Sequence, residues 1–146
     1  MSIETRLAEL GITLPDAPAP AANYLPWVIS GNLLFVSGQI SAIKGKLGAD
    51  LAVEAGAEAA RGCGLSLLAQ ARAALGSLDR VARVVRLGGF VNSTPEFTDQ
   101  PEVINGCSNL MVEVFGDKGR HARAAVSAPA LPRGVAVEIE AVFEIA

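Results

Sequence analysis

Apolar residues recur along this chain with two different periods, and the switches between them mark its elements. Ile3, Leu7 and Leu10 share one side of a helix over Ser2 to Leu10, with Ser2 placed to cap it, Glu4 at its positive end and Gly11 behind it. Pro15 to Ala22 is rich in Pro and Ala and reads as an extended connector. Tyr24 to Ser30, the turn Gly31-Asn32 and Leu33 to Ile40 then form a hairpin. Lys44 to Asp50 is a polar, glycine-containing loop. Leu51 to Leu75 returns to the helical period, with Asp50 as N-cap and Gly76 as stop. Val53, Ala57, Ala60, Gly64, Leu67, Leu68, Ala71 and Leu75 fall on one face of it. Gly56, Gly62 and Gly64 each cost a helix about 1 kcal/mol relative to Ala, so the pattern predicts a close approach to a sheet there.

Leu78 to Asn92 mixes signals. Arg80, Arg83 and Arg86 are three apart, as on a helix, but Val81, Val84, Val85 and Val91 are β-branched and Gly88-Gly89 disfavours a helix. The segment is expected to be a strand with a bulge. Pro95 and Asp99 introduce a helix over Gln100 to Phe115 that ends at Gly116. Two short runs from Ala122 onward, joined by a Pro-Gly connection, read as a terminal hairpin. The order is α, ββ, α, β, α, ββ, which predicts an α+β fold with helices on one face of a mixed sheet.

Composition narrows the function. The 146 residues fit a single domain over residues 1–146, with 1–20 as helix and connector. The apolar fraction is 51% and the charged fraction 18%, an excess that small domains often hide in a subunit interface. A net charge of −3 argues against a nucleic-acid surface, which needs a basic stripe. Cys63 and Cys107 have no metal-ligand spacing, and one histidine in the chain argues against zinc. Neither a signal peptide nor a membrane-length apolar run is read, so free thiols and a cytoplasmic location are expected.

Two charges stand in β-type runs near the end: Arg123 and Glu138. Burying either is costly unless it is paired. A guanidinium binds a carboxylate through two parallel hydrogen bonds, so Arg123 suits a carboxylate ligand as well as an ion pair. Glu140 and Glu144 share a strand face with Glu138. Ser37 has no His-Asp partner arranged in sequence for a nucleophile role. No P-loop, GxGxxG, GxSxG, HExxH or EF-hand occurs.

Gly31-Asn-Leu-Leu-Phe-Val-Ser-Gly-Gln-Ile40, Ala122-Arg-Ala-Ala-Val and Leu131-Pro-Arg-Gly-Val-Ala-Val-Glu-Ile-Glu-Ala141, in this order and spacing, resemble the RidA/YjgF (L-PSP) family of reactive-intermediate deaminases. The resemblance spans roughly residues 20 to 145. It implies a chorismate-mutase-like mixed sheet with two main helices on one face, assembled as a homotrimer with sites between subunits. The implied reaction is hydrolysis of 2-aminoacrylate-like enamines and imines to keto acids and ammonia, with neither metal nor organic cofactor. Other members are named as ribonucleases or translation inhibitors, and a non-catalytic trimer that binds small carboxylates is a further alternative.

Position by position, the resemblance gives Arg123 the substrate carboxylate and Glu138 the catalytic water or the leaving amine. Tyr24, Ser37 and Asn105 match further substrate-binding positions, Asn105 with one residue of offset. The chain departs from the family at His121, where a small residue or proline is usual, at Ala125, where several members carry cysteine, and at Pro129. The helix over residues 2 to 10 is extra. These departures mark a divergent branch.

Overall fold

The computed structural model describes residues 2–20 and 22–146. Its elements are α1 (Ile3–Glu9), β1 (Trp27–Ser30), β2 (Leu33–Ile40), α2 (Val53–Leu75), β3 (Val81–Asn92), α3 (Gln100–Phe115), β4 (Ala122–Ala128) and β5 (Val137–Ile145). The five strands form one mixed sheet in the order β1-β2-β5-β3-β4. The helices α2 and α3 pack together on one face of it, and the α+β architecture is the expected one.

The last two strands do not form a hairpin. β4 runs parallel to β3, so it returns through α3 as a crossover and takes the sheet edge. The Pro129–Gly134 connection then carries the chain past β3, and β5 fills the slot between β2 and β3, antiparallel to both. Composition explains the exchange. β5 contributes Val137, Ile139, Ala141 and Phe143, all buried, whereas β4 offers mostly Ala and Ser. The more apolar strand takes the centre, where its neighbours on both sides and the helices above cover it.

One face of the sheet meets the helices through Leu34, Val36, Val84, Leu87, Val91, Ile139 and Phe143, against Leu67, Leu68, Ile104, Leu110 and Met111. The register of β3 against β5 shifts twice, between Val81 and Arg83 and between Val84 and Arg86. These shifts are the bulges that reconcile the valine spacing with the arginine spacing. The three arginines leave the core: Arg80 Nε donates to Ala146 O at 3.2 Å, Arg83 Nη2 to Arg120 O at 2.8 Å, and Arg86 pairs with Glu140 at 3.3 Å.

Two further expectations are corrected. Asp50 does not cap α2; its Oδ1 accepts the amide of Lys46 at 2.7 Å and closes the preceding loop, while Ala52 occupies the N-cap. The glycines of α2 face α3 more than the sheet. A Cβ at Gly64 would crowd Cys107 and Leu110, and one at Gly106 of α3 would overlap the Ala57 carbonyl oxygen. Glycine thus lets the two helix backbones approach each other, and Gly62 meets nothing at all. The first strand is also shorter than expected, because Tyr24 to Pro26 belong to the connector. The extra helix α1 is capped by Ser2 and tied down by Asp79 Oδ1, which accepts the Ile3 amide at 2.7 Å, and by Arg6 Nε, which donates to Glu113 O at 3.0 Å.

Candidate active site: two half-sites on one chain

Arg123 enters through β4, where its Cα pairs with Leu87. Paired residues point the same way, and Leu87 is fully buried under the helices, so Arg123 stands on the helix side at the sheet edge. Its Nη1 donates to Ser108 Oγ at 3.0 Å and its Nη2 to the Pro101 carbonyl at 3.2 Å. Pro101, Asn105 and Ser108 are spaced four and three apart and form one stripe of α3. Asn105 is exposed on that stripe, beside the arginine. His121, named above as a departure from the family pattern, is drawn in as well: Nε2 lies 2.9 Å from Ser108 Oγ and Nδ1 lies 2.6 Å from Gly119 O. Burial holds its pKa below the usual histidine value, the Gly119 carbonyl opposes this, and Arg123 adds to the lowering.

Glu138 lies elsewhere. It pairs with Ile40 on one side and Phe90 on the other, and Phe90 pairs with Val126. This row is on the face without helices, because the flanking Val137 and Ile139 are buried on the helix side. The carboxylate therefore stands between Ile40 and Phe90, with Val126 one strand further along the row. Partial burial raises its pKa, and the like charge of Glu140 raises it further. A Cβ on Gly38 would come 2.5 Å from Glu138 Oε2, so the glycine of the Ser-Gly-Gln run makes the room that the carboxylate occupies.

Beside Glu138, a cavity of about 510 Å³ opens where β1 has ended and the connector crosses the edge of β2. Tyr24, Gly38, Gln39, Gln70, Arg133 and Glu138 supply its polar wall, and Pro18, Pro20, Pro26 and Ile40 its apolar one. Gln70 Nε2 donates to Pro18 O at 2.6 Å and to Gln39 Oε1 at 3.4 Å, which fastens the connector to α2. Ser37 supports the same segment: its Oγ donates to Leu25 O at 2.7 Å and its amide to Pro26 O at 2.9 Å. It holds the wall in place and does not line the cavity.

The fold thus brings Tyr24 and Glu138 together, with Ser37 behind them, and gathers Arg123 and Asn105 at a different place. Two residues at these places were missed in sequence. Ser108 is legible only as part of the Pro101-Asn105-Ser108 helix stripe, and Arg133 lies inside the Pro-Arg-Gly run, where it reads as turn chemistry. Cys63 and Cys107 take no part in either half-site. Both are buried, and burial pushes Cys107 up to about 12 and Cys63 up as well, so they stay thiols. Among the described residues no three His, Cys, Asp or Glu side chains converge as a metal site, and no helix is long and apolar enough to cross a membrane.

A mixed sheet covered by two helices on one side, with charged half-sites at its edge and on its bare face, defines a class of small α+β proteins, and comparison with known proteins names it. The family model described as "YjgF/chorismate_mutase-like, putative endoribonuclease" matches residues 4–143. Protein TCP17 of Trypanosoma cruzi is 51% identical over 150 residues, covering 98% of this chain and 94% of its own. The structure of Atu1372, a protein of unknown function from Agrobacterium tumefaciens, is 51% identical, covers 99% of this chain and 92% of that one, and superposes with a TM-score of 0.92. A structure from Shewanella oneidensis MR-1, described as "a putative endoribonuclease", is 33% identical over 99% and 100% of the two chains with a TM-score of 0.96. The chain belongs to the YjgF/chorismate-mutase-like family.

Proposed function

We propose that this protein hydrolyses reactive enamines and imines of small carboxylic acids to keto acids and ammonia, at sites completed between copies of the chain in a homotrimer. The observation that carries the proposal is the separation of the two half-sites. Arg123 is built to hold a carboxylate and Glu138 is built to hold a proton, yet they face away from each other within one chain. A neighbouring copy supplies the missing half. The bare face of the sheet suits such an interface, since Val28 and Phe35 in one of its rows and Ile40 and Val126 in another are exposed on it.

For a 2-aminoacrylate-like enamine the steps follow from the groups present. Arg123 binds the substrate carboxylate through paired N–H donors. Glu138 of the adjoining copy, kept protonated more readily by its apolar row, donates its proton to the terminal carbon and leaves an iminium. The resulting carboxylate takes a proton from water as the water oxygen adds to the iminium carbon. The carbinolamine receives that proton on nitrogen; the C–N bond then breaks as the carbinol hydroxyl becomes the keto oxygen and returns its proton to the Glu138 carboxylate, and ammonia and the keto acid leave. Tyr24 and Arg133 stand at the cavity wall, placed to orient the water and the keto oxygen.

The test is release of keto acid and ammonia from an imino acid generated enzymatically in the cuvette. Arg123→Ala is expected to lower kcat/KM by about a hundredfold or more, the scale of removing one partner of a charged hydrogen-bonded pair. Turnover of Arg123→Ala at the wild-type rate would sink the role given to Arg123. Absence of turnover by the wild type, with keto-acid binding retained, would make the protein a carboxylate-binding trimer instead. The ribonuclease wording attached to the family gains no support from this chain. Its net charge is −3, and Arg80, Arg83 and Arg86 are engaged by the chain's own groups.

A further inference from the structure

With His121 neutral, the hydrogen bonds beside Arg123 run in one direction. Gly119 O is a carbonyl and can only accept, so Nδ1 of His121, 2.6 Å away, carries a hydrogen. In the neutral ring Nε2 is then an acceptor, and Ser108 donates its hydroxyl hydrogen to it across 2.9 Å. The Ser108 oxygen keeps its lone pairs for Arg123 Nη1 at 3.0 Å. With the Pro101 carbonyl on Nη2, two of the five guanidinium N–H groups are committed and three remain for a ligand.

We propose that Ser108 and His121 are positioning residues that fix the Arg123 guanidinium before the substrate arrives. The proposal rests on the reading of Arg123 as the carboxylate grip. An arginine on an edge strand has several rotamers open to it, and only some present a paired N–H edge outward. The relay removes that freedom in advance. Pre-ordering one long side chain is worth about two- to tenfold in affinity. His121 is one of the chain's departures from the family pattern, so the relay belongs to this branch. A helical Ser108 within reach of a strand-entry His121 supplies what Arg123 alone lacks: an acceptor of fixed direction, itself anchored to the backbone at Gly119.

The experiment measures pyruvate binding to the full-length protein by NMR titration, together with KM and kcat for the imino acid. Ser108→Ala is expected to weaken pyruvate about five- to tenfold and to raise KM by the same factor with kcat nearly unchanged. Ser108→Thr, which keeps the hydroxyl, should bind within about twofold of wild type. His121→Phe should match Ser108→Ala, and the double variant should lose nothing more, because both act through one guanidinium. If Ser108→Ala loses its fold, Ser108→Cys carries the same test with a poor acceptor of similar shape. Wild-type pyruvate affinity in Ser108→Ala or Ser108→Cys, with binding abolished in Arg123→Ala, overturns the relay and leaves the grip intact. Wild-type affinity in Arg123→Ala overturns the grip itself. Imidazole nitrogen shifts that place the hydrogen of neutral His121 on Nε2 overturn the direction of the relay.

Discussion

Arg123 and Glu138 stand on opposite faces of one sheet. Arg123 is in register with Leu87 on the helix side of the edge strand, and Glu138 is in register with Phe90 on the bare side of the central one. Neither can reach the other without unfolding the sheet between them. The two charges that are awkward in a strand are therefore awkward for different reasons. Arg123 is satisfied by α3, through Ser108 and Pro101. Among the described residues Glu138 accepts no side-chain hydrogen bond and has no cation within ion-pair distance; it is tolerated because solvent still reaches it, while partial burial and the like charge of Glu140 raise its pKa.

An arrangement of this kind predicts complementation between two inactive variants. Arg123→Ala keeps Glu138, and Glu138→Gln keeps Arg123. Unfolded together in equal amounts and refolded as mixed trimers, a site is whole only when its arginine comes from one variant and its glutamate from the other. Random mixing gives that combination about one time in four, so activity should return to about 25% of wild type. Each variant refolded alone should stay inactive. A mixture no more active than its parts would mean that one chain carries the whole site.

The raised pKa of Glu138 makes its ionised form a burden on folding. Protonated Glu138 is the form the folded chain prefers, so its contribution to stability is present below the ordinary glutamate range and is lost as pH rises through its raised value. Glu138→Gln is therefore expected to be more stable than wild type at pH 7 to 8. The gain should stay under about 1 kcal/mol, because solvent still reaches the carboxylate. The two melting curves should converge near pH 4. Thermal melts across this range check it, and an equal or larger gap at acid pH would contradict the cause assigned here.

Much of the fold was legible because period and punctuation agree. The apolar stripe of α2 ends at Gly76 in the left-handed conformation, with φ of 80°, and α3 begins at Gln100, directly after Asp99, as read from Pro95 and Asp99. Strand pairing was not legible. The Ala122 and Val137 runs look like a hairpin because they are adjacent in sequence, and nothing local records that β5 pairs along both of its edges, with β2 and with β3. The site divides the same way. Tyr24, Arg123 and Glu138 were legible as candidates from motif spacing, and Arg123 and Glu138 from their cost in a strand as well. The contacts of Ser108 with Arg123 and the place of Arg133 at the cavity are created only by the tertiary arrangement. The glycines of α2 were visible as an anomaly, but their partner was misread as the sheet when most of it is α3, whose Gly106 was not singled out.

That misreading supplies a paired test. Gly106→Ala adds a methyl that overlaps the Ala57 carbonyl, and backbone cannot step aside as a side chain can. Its overpacking cost of about 3 kcal/mol exceeds the helix-propensity gain of about 1 kcal/mol, for a net loss of about 2 kcal/mol. Gly62→Ala meets nothing within 4 Å and should gain about 1 kcal/mol. Denaturant melts of the two variants should move in opposite directions, by roughly 6 °C down and 3 °C up in Tm. Destabilisation by both would remove the helix–helix explanation.

Arg133 is the remaining charge at the cavity, and its backbone is strained. It sits at φ 60° and ψ 15°, a conformation that costs a residue with a Cβ about 1 kcal/mol and costs glycine almost nothing. The next residue, Gly134, continues the turn at φ 74°, so the strain falls on the one position where a glycine is absent. Its side chain lines the cavity with Tyr24 and Glu138. Strain retained beside a candidate site predicts a trade between stability and activity. Arg133→Gly should raise Tm by about 2 to 3 °C while lowering kcat/KM about tenfold. Arg133→Ala separates the two effects, since it keeps the strained backbone and removes the cation. It should lose the same activity with no gain in Tm. Thermal melts and imino-acid turnover on both variants decide the matter: full activity in Arg133→Ala would show that the cation serves the turn and not the site.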